Sequence, residues 1–181
     1  MPRGPSPDWR IAERRPSLGI TTASFDCGSA ELNEYLRRCA RQNHESGGAK
    51  TFVAVAAAAP ARILGFYSIS PGALEFTSVP SALVKKLGRY DVPVFRLGRL
   101  GVDRSVQGRG LGGDLLLAAG ARALAVAEEV GGIALVIDAK DERAASWYEQ
   151  FGALPLLDDP LELILPLSVI AEALRAGGLG R

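Results

Sequence analysis

The apolar residues of segment 29–43 recur at the spacing of one helix face, with Leu32, Leu36 and Ala40 among them. Ser29 precedes the run and belongs to the residue types that cap the first turn of a helix. Gly47 follows the run, and glycine commonly ends helices. The pattern therefore predicts an amphipathic helix that begins at Ser29 and ends near Gly47.

The rest of the chain alternates between short apolar runs rich in β-forming residues and longer helical patterns. These predict strands at 51–57, 62–70, 94–102, 133–138 and 161–167, helices at 110–129, 142–152 and 168–175, and a basic connection at 83–93. The first two strands form an antiparallel hairpin. The predicted fold class is α+β, with a strand, a glycine-rich loop, a helix, a strand and a helix in its middle. Without repeats or linkers, we expect one domain over 8–181 after a loose tail at 1–7.

The composition of the 181 residues is that of an ordinary globular protein, with 48% apolar and 23% charged residues. No apolar run approaches the length of a membrane span, and the first residues lack the apolar region of a secretory signal. Cys27, Cys39 and His44 do not form a metal-binding pattern, and we expect both cysteines to be reduced thiols. These features predict a cytoplasmic protein with neither membrane association nor a metal.

Charge is unevenly distributed, although the formal net charge is only +1. Residues 1–110 carry 16 Lys and Arg against 9 Asp and Glu, whereas residues 111–181 carry 5 against 11. This asymmetry permits an anionic partner on one side. Charge alone favours the simpler interpretation, which is scattered solvated charge.

Four glycines, Gly108, Gly110, Gly112 and Gly113, follow a strand that ends at Val102 and lie at the start of the longest predicted helix. The start of a helix offers unpaired N–H groups and the positive end of its dipole, and glycine lets a ligand approach the backbone closely. The loop is therefore a candidate cradle for a phosphate or pyrophosphate. The alternative is a glycine-rich turn that binds nothing.

Two common nucleotide-binding motifs fit this loop poorly. A P-loop requires a lysine directly after its glycines, and none follows here. A Rossmann fingerprint matches Gly108, Gly110 and Gly113 by letter, with Asp138 at the end of the next strand. That fingerprint begins directly after its strand, within a series of βαβ units. Here five residues separate Val102 from Gly108, and an antiparallel meander precedes the strand.

The segment from Gln107 to Gly112 matches the signature Q/R-x-x-G-x-G/A and resembles the GNAT superfamily of N-acetyltransferases. The context is similar as well, since RLGRLGV precedes the segment and VIDAKDERAASWYEQFG follows it. With FDCGSAELNEYLRRCARQN, GGAKTFVAV and GFYSIS, the chain resembles the acetyltransferase toxins of type II toxin–antitoxin modules from about Ser24 to Leu167. That resemblance implies an enzyme that acetylates the amino acid on charged tRNA.

The resemblance implies the GNAT fold, a mixed and mostly antiparallel sheet splayed around the cofactor strand and flanked by helices. It implies acetyl-CoA as donor, with its pyrophosphate on the loop N–H groups, Arg109 as counter-charge and Gln107 orienting the loop. The pantetheine arm would pair with the backbone of Leu100–Val102 like an added strand, and an N–H there would hold the thioester carbonyl. The implied cofactor-binding residues are Leu100, Gly101, Val102, Gln107, Gly108, Arg109, Gly110, Leu111, Gly112, Gly113 and Ser146.

Tyr148 is the candidate catalytic acid, because a phenol with a pKa near 10 can hand its proton to a leaving thiolate. The alternative is a buried tyrosine whose hydroxyl only satisfies a neighbour, and the resemblance favours the catalytic role. No general base stands out, and an α-amine with a pKa near 7.7–8.0 is already partly neutral at pH 7. We expect His44 at the surface rather than acting as a base, and Trp147 in the core.

Three positions depart from the usual residues of the subgroup that the chain resembles. Gly101 stands where alanine is usual, and Trp147 and Ala153 stand where phenylalanine is usual. None of them removes a group that the chemistry needs. Ala153 would widen the pocket beside the helix end, which leaves the substrate range open.

Charged tRNA as a substrate requires a basic surface. The candidates are Arg37, Arg38, Arg41, Lys85, Lys86, Arg89, Arg96 and Arg99. Arg37 and Arg41 share a helix face, whereas Arg96 and Arg99 would face opposite ways on a regular strand, so only one of the latter two would reach RNA. The resemblance also implies a ribbon-helix-helix antitoxin and a homodimer. The alternatives are a GNAT enzyme for a small-molecule or protein amine, and an inactive domain that binds CoA or a partner.

Overall fold

The computed structural model describes residues 8–12 and 21–177, so the predicted tail at 1–7 lies outside the described residues. Within them the strands are β1 (Trp9–Ala12), β2 (Lys50–Ala56), β3 (Ile63–Leu74), β4 (Val92–Val102), β5 (Ala134–Asp138), β6 (Leu154–Pro155) and β7 (Glu162–Pro166). The α-helices are α1 (Ala30–Glu34), α2 (Ala40–Ser46), α3 (Ser81–Val84), α4 (Leu111–Val130), α5 (Glu142–Glu149) and α6 (Leu167–Arg175). A π-helical turn, Tyr35–Cys39, joins α1 to α2, and short 3-10 helices cover Phe76–Ser78 and Arg104–Val106.

The seven strands form a sheet in the order β1-β2-β3-β4-β5-β7-β6. β1 pairs antiparallel with β2, and β7 pairs antiparallel with β5 and with β6. β4 and β5 are parallel, from Phe95 opposite Leu135 to Leu97 opposite Ile137. A parallel pair needs a long crossover connection, and α4 supplies it. The predicted α+β class with a mixed, mostly antiparallel sheet is therefore confirmed.

The chain groups into two compact units, Met1–Ser68 with Arg99–Leu116, and Ile69–Gly98 with Leu117–Arg181. Strands β3 and β4 and helix α4 each contribute residues to both units. The single domain expected over residues 8–181 stays a prediction.

The core of the first unit is built around Phe66 of β3, which is fully buried. The centroid of its ring lies 5.6 Å from that of Phe25, edge-on, and 6.2 Å from that of Tyr35, stacked. Val53 and Val55, at alternate positions of β2, join the same cluster. Truncating such a ring to alanine costs about 3–5 kcal/mol, so Phe66 is a main anchor for the first helical segment.

The core of the second unit is formed by strands β4, β5 and β7 together with the end of β3 and the segment that follows it. Its buried members are Leu74, Val79, Val84, Val92, Val94, Ala134, Val136, Leu156 and Ile164. Every residue from Ala134 to Ile137 is at most 1% exposed, which explains the continuous apolar run of β5. The predicted buried strand at 133–138 is confirmed.

Helix α4 buries one stripe of its surface at intervals of four residues, through Leu111, Leu115, Ala119 and Ala123. The helix predicted at 110–129 is thereby confirmed. Neither α4 nor any other helix of the described residues is long and apolar enough to cross a membrane.

The amphipathic helix predicted at 29–43 is confirmed and extends to Ser46. Its first turn is capped by the Ser29 hydroxyl, which accepts a hydrogen bond from the Leu32 N–H at 3.4 Å. Gly47 ends it with a φ of 82°, in the left-handed region. Both boundary residues therefore act as their chemistry predicts.

The π-helical turn Tyr35–Cys39 is not visible in the apolar periodicity. Arg37 lies within this turn and Arg41 follows it, and the two side chains, expected on one helix face, have different partners. Arg37 donates a hydrogen bond to the carbonyl oxygen of Phe25 at 3.0 Å, and Arg41 pairs with Glu45 at 2.9 Å. A wider turn shifts the angular position of the residues that follow it, which separates the two side chains.

The hairpin of β2 and β3 is confirmed, with the Ala56 N–H donating to the carbonyl oxygen of Arg62 at 3.1 Å. The strand predicted at 62–70 continues through Pro71 to Leu74. β1, β6 and α3 are not predicted by the pattern because two to four residues are too few to show a period.

The expectation that His44 lies at the surface was wrong. His44 is only 8% exposed, and its Nδ1 atom lies 3.1 Å from both the backbone nitrogen and the carbonyl oxygen of Thr51. Its ring packs edge-on against Phe52, with the centroids 6.2 Å apart. The imidazole thus joins the end of α2 to the start of β2, which is a structural role.

Candidate active site

The glycine-rich loop connects the end of β4 to the first turn of α4. Gly108 and Gly110 have φ angles of 75° and 95°, which favour glycine. A Cβ atom added at either position would meet no heavy atom within 4 Å, so the space beside both is open. The loop therefore presents bare backbone to this space, as a phosphate cradle requires.

The first N–H groups of α4 border the same loop. A helical hydrogen bond runs from the Asp114 N–H to the carbonyl oxygen of Gly110 at 3.2 Å, and the N–H groups of Leu111, Gly112 and Gly113 precede it. The Leu111 side chain is buried, so that residue offers only its backbone. The positive end of the helix dipole favours an anion here. These residues fit the pyrophosphate of acetyl-CoA.

The Gln107 amide holds the loop in place. Its Nε2 donates to the carbonyl oxygen of Val102 at 2.9 Å and to that of Cys27 at 3.0 Å. The loop is thus tied both to the end of β4 and to the Phe25–Gly28 segment. That segment begins FDCGSAELNEYLRRCARQN, one of the stretches that carry the resemblance to the toxin subgroup, and its physical contribution is to support the loop.

Two carboxylates fix the chain on either side of these contacts. Asp103 accepts hydrogen bonds from the Asp26 N–H at 3.0 Å and from the N–H and hydroxyl of Ser105 at 3.0 and 2.6 Å. Burial would raise the pKa of Asp103, but these hydrogen bonds outweigh it and hold the pKa below its usual value. The Gly28 N–H and then the Asn33 amide lower the pKa of Asp26 in the same way. Both groups are therefore ionised at neutral pH.

Arg109, the predicted counter-charge, is already in contact with strand β1. Its Nη2 lies 2.7 Å from a carboxylate oxygen of Asp8, and its guanidinium lies 5.7 Å from the ring centre of Trp9. The Trp9 indole N–H donates to Asp114 in the first turn of α4 at 3.0 Å. The Arg109 side chain is 50% exposed and has five N–H donors, so it can bind a phosphate while it keeps Asp8.

The departure at Gly101 has a steric cause. A Cβ atom at this position would lie 2.9 Å from a ring carbon of Phe66 and 3.5 Å from Sγ of Cys27. Because Phe66 is fixed among other buried rings, it occupies the space that an alanine methyl group would need. The glycine at position 101 therefore matches the packing of this particular core.

Tyr148 lies in the second unit on α5, a helix that Asp141 caps by accepting a hydrogen bond from the Ala144 N–H at 2.7 Å. The tyrosine is 9% exposed, and burial raises its pKa to about 12. Within the part of the chain that the structure describes, burial alone raises this pKa, and no hydrogen bond to the hydroxyl contributes to the shift.

The neighbours of Tyr148 differ from expectation at one position. Trp147 is half-buried instead of lying in the core, and its ring packs edge-on against Phe151 and Tyr148 with centroids 4.8 Å apart in each case. Ser146 is exposed. Ala153 is buried, and its N–H approaches the carbonyl oxygen of Tyr148 at 3.4 Å.

The eight basic residues predicted to contact RNA do not form one equivalent set. Arg38 and Arg41 form exposed ion pairs with glutamates one turn away on their own helical segment. Arg96 lies 2.9 Å from carboxylate oxygens of both Asp138 and Glu162. The remaining five are Arg37, which contacts a backbone carbonyl, the exposed Lys85, Lys86 and Arg89, and the half-buried Arg99.

Sequence reasoning missed the residues that support the site from a distance. Asp8 directly precedes β1 and Trp9 begins it, on a strand too short to predict, and they contact Arg109 of the loop and Asp114 of α4, about a hundred residues further along the chain. Asp103 and Asn33 are common polar residues without a motif. Only the Phe25–Gly28 segment carried a signal, through its resemblance to the subgroup.

The glycine cradle at the start of the crossover helix, within this α+β sheet, defines the class of the protein as a GNAT-type transferase that uses an acyl-CoA. No protein-family model matches the chain. The chain is 36% identical over 154 residues to a tRNA-acetylating toxin of Mycobacterium tuberculosis, covering 85% of this chain and 90% of that protein.

Solved structures agree with this relationship. The chain is similar to AtaT complexed with acetyl-methionyl-tRNAfMet, with a TM-score of 0.85, 26% identity, and coverage of 91% of this chain and 98% of that one. It is similar to AtaTR bound with acetyl-CoA, with a TM-score of 0.79, 27% identity, and coverage of 91% and 97%. The chain therefore belongs to the family of tRNA-acetylating toxins, and the predictions of a GNAT fold and an acetyltransferase are confirmed.

Proposed function

We propose that the protein is an acetyl-CoA-dependent N-acetyltransferase that acetylates the α-amine of aminoacyl-tRNA and thereby blocks translation. The open glycine cradle at the start of α4, in a chain of this family, is the observation that carries the proposal. The AtaT structures with acetyl-methionyl-tRNAfMet and with acetyl-CoA support the same pair of substrates here.

The donor site is assigned to the loop and to the end of β4. The backbone N–H groups from Gly108 to Gly113 hold the pyrophosphate, and Arg109 adds a positive charge. Leu100–Val102 lie beyond Phe95–Leu97, the β4 residues that pair with β5. Because Gln107 already engages the carbonyl oxygen of Val102, the backbone of Leu100 and Gly101 is the part left for the pantetheine amides.

Acetyl-CoA supplies an activated acetyl group as a thioester. The neutral α-amine attacks the thioester carbonyl, so a C–N bond forms, the C–S bond breaks, and the proton lost by the nitrogen is finally carried by the sulfur. A backbone N–H at the end of β4 stabilises the charge that develops on the carbonyl oxygen. Since an α-amine is partly neutral at pH 7, the chain needs no dedicated base.

Tyr148 is assigned the role of donor to the leaving sulfur. A pKa of about 12 keeps its hydroxyl protonated throughout the range from pH 7 to 9. Complete transfer of this proton to a thiolate with a pKa near 8.5 would be uphill by about 3.5 pKa units, or roughly 5 kcal/mol. Tyr148 therefore donates a hydrogen bond to the developing thiolate and relays the amine proton, and does not lose its own proton permanently.

The partners are proposed from the sequence resemblance. Exposed basic residues, among them Arg37, Lys85, Lys86 and Arg89, are available to the phosphate backbone of the RNA. A ribbon-helix-helix antitoxin that neutralises the toxin, a homodimer and a cytoplasmic location complete the proposal.

Replacement of Tyr148 with phenylalanine tests the catalytic assignment. We expect kcat for acetylation of charged tRNA to fall about 10²–10⁴-fold, because the developing thiolate loses its donor. The Kd for acetyl-CoA by isothermal titration calorimetry should stay unchanged, because the phenylalanine ring keeps the packing. An unaltered kcat would remove Tyr148 from the mechanism.

The choice of acceptors separates the alternatives. Wild-type protein that acetylates polyamines or protein amines but no charged tRNA would be a GNAT enzyme of another specificity. Acetyl-CoA binding without modification of any acceptor in a broad panel would indicate an inactive domain.

A further inference from the structure

The Asn33 side chain on α1 uses both ends of its amide in a place that water scarcely reaches, since the residue is only 9% exposed. Its Oδ1 accepts hydrogen bonds from the N–H and the thiol of Cys27, at 3.0 and 3.2 Å, and its Nδ2 donates to Oδ1 of Asp26 at 2.9 Å. One planar group must therefore accept and donate at the same time. Among side chains of this size, only an amide does so at neutral pH.

Asp26 extends this network into the main chain. The oxygen that accepts from Asn33, Oδ1 of Asp26, also accepts from the Gly28 N–H at 2.9 Å. That N–H belongs to the same planar peptide group as the carbonyl of Cys27. Because the N–H and the C=O of a trans peptide point in opposite directions, holding the N–H of Gly28 also aims the carbonyl oxygen of Cys27.

The carbonyl oxygen of Cys27 accepts a hydrogen bond from Gln107 in the glycine-rich loop. Nε2 of Gln107 donates to this oxygen at 3.0 Å and to the carbonyl oxygen of Val102 at 2.9 Å, which uses both of its hydrogens. The contact with Val102 spans 5 positions of the chain, whereas the contact with Cys27 spans 80. The second contact therefore ties the loop to a separate segment.

The backbone on either side of the Cys27–Gly28 peptide is held as well. Gly28 has a φ of 87°, in the left-handed region, and a Cβ atom there would lie 3.1 Å from Nε of Arg104. The Arg104 N–H donates to the carbonyl oxygen of Asp26 at 2.9 Å. These contacts fix where Asp26 and Gly28 lie, and the Asn33 amide fixes how the Asp26 carboxylate is turned toward the Gly28 N–H.

We propose that Asn33 is a positioning residue for the acetyl-CoA site, and that it acts through the Asp26 carboxylate, the Cys27–Gly28 peptide and the Gln107 amide. The inference rests on the proposed donor site and assigns part of its geometry to a residue of α1, outside the glycine motif. Without the Asn33 amide, the Cys27 carbonyl oxygen loses its fixed direction, and Gln107 holds the loop only locally. Acetyl-CoA must then order the cradle as it binds, which costs binding free energy.

The variants Asn33→Ala and Gln107→Ala, measured singly and together, test this route. We expect Asn33→Ala to raise the Kd for acetyl-CoA about 5–10-fold by isothermal titration calorimetry, and Gln107→Ala to raise it at least as much. Adding Asn33→Ala to Gln107→Ala should then change the Kd by less than about 2-fold, because both act on the same contact. Two effects that multiply in full would be independent of each other and would overturn the proposal.

The variant Asn33→Asp adds a dependence on pH that a purely structural role would not produce. At pH 8 the introduced carboxylate has no hydrogen to donate and repels Asp26, whereas at pH 5 a proton shared by the two carboxyl groups restores a donor and an acceptor. Arg37 and Arg104 also act on Asp26, and both stay charged throughout this range. We expect the ratio of variant Kd to wild-type Kd to be about 10 at pH 8 and about 2 at pH 5. The ratio removes the titration of acetyl-CoA itself.

Asn43→Asp is the matched control for the added charge. It makes the same exchange on α2, where Asn43 accepts hydrogen bonds from Ser46 and Ala49 through its backbone carbonyl oxygen. The Kd for acetyl-CoA should stay at the wild-type value at both pH values. Equal effects of Asn43→Asp and Asn33→Asp would show that charge alone weakens binding, and they would overturn the role of position 33.

Thermal unfolding of each variant separates loss of the fold from loss of the site. If Asn33→Ala does not fold, the pH dependence of Asn33→Asp decides, and a Kd ratio that is the same at pH 8 and pH 5 overturns the proposal. A wild type that binds acetyl-CoA but acetylates no charged tRNA would overturn the proposed acceptor and leave the role of Asn33 in place. A folded wild type that does not bind acetyl-CoA would overturn both.

Discussion

At the scale of single residues, the surroundings of Tyr148 suit its hydroxyl to the role proposed for it at the leaving sulfur. Burial on α5 raises its pKa to about 12, and no hydrogen bond from a described group contributes to that shift. The phenol therefore stays protonated under physiological conditions, and its hydroxyl remains available as a hydrogen-bond donor. The same burial weakens it as an acid, which is why a hydrogen bond and a proton relay describe its role better than irreversible proton release.

The raised pKa of Tyr148 predicts a loss of stability in alkali. The folded protein holds this proton more tightly than the unfolded chain, whose tyrosine has a pKa near 10, so stability is complete below pH 10 and declines as the pH rises toward 12. Between pH 9 and pH 11 the contribution of Tyr148 falls by about 1 kcal/mol. Urea unfolding at both pH values measures it.

Tyr148→Phe is the control for that measurement, because other tyrosines and the lysines titrate over the same range. The wild type should lose about 1 kcal/mol more than the variant between the two pH values. Identical losses would mean that the phenol is not buried as described.

At the scale of elements, helix α4 is flanked at each end by a glycine in the left-handed region of φ. Gly110 at its start and Gly131 after its end both have a positive φ, at 95° and 86°, and a Cβ atom at either would meet open space. An alanine at either position would therefore be under a similar backbone strain. Only the start of the helix carries free N–H groups and the dipole end that attract phosphate.

The variants Gly110→Ala and Gly131→Ala can therefore be compared directly. Each should destabilise the fold by roughly 1–2 kcal/mol, because alanine is strained in the left-handed region. Only Gly110→Ala should weaken acetyl-CoA binding, by about 10-fold or more, since the loop would then relax away from its cradle geometry and place a methyl group in it. Isothermal titration calorimetry decides the point, and equal affinities in the two variants would refute the cradle.

The elements that the sequence could predict are those long enough to show a period or a cap. The amphipathic helix from Ser29, the hairpin of β2 and β3, the buried strand β5 and the helix α4 all belong to this group. The π-helical turn at Tyr35–Cys39 was not predictable, because one widened turn barely disturbs an apolar stripe. β1 could not be recognised either, since four residues are too few to show a period.

At the scale of the whole molecule, the site residues come from places that the sequence does not connect. The motif at Gln107–Gly113 was visible, but its support by Cys27, Asp26 and Asp8 depends on contacts across 77 to 101 positions of the chain. Such contacts leave no local trace in one sequence. The basic surface shows the same limit, because composition counts Arg96 and Arg99 alike. In the fold Arg96 pairs with two carboxylates, whereas Arg99 stacks on Tyr35 and has no carboxylate partner among the described residues.

The family relationship, the open cradle and the free phenol converge on one reaction, the transfer of an acetyl group from acetyl-CoA to the α-amine of an aminoacyl-tRNA. The most direct test incubates the purified protein with isotopically labelled acetyl-CoA and charged total tRNA. Nuclease digestion and mass spectrometry then identify the aminoacyl-adenosine ends. The account predicts labelled N-acetyl-aminoacyl-adenosine with the wild type and little or none with Tyr148→Phe. Unmodified ends with a folded wild type that binds acetyl-CoA would contradict it.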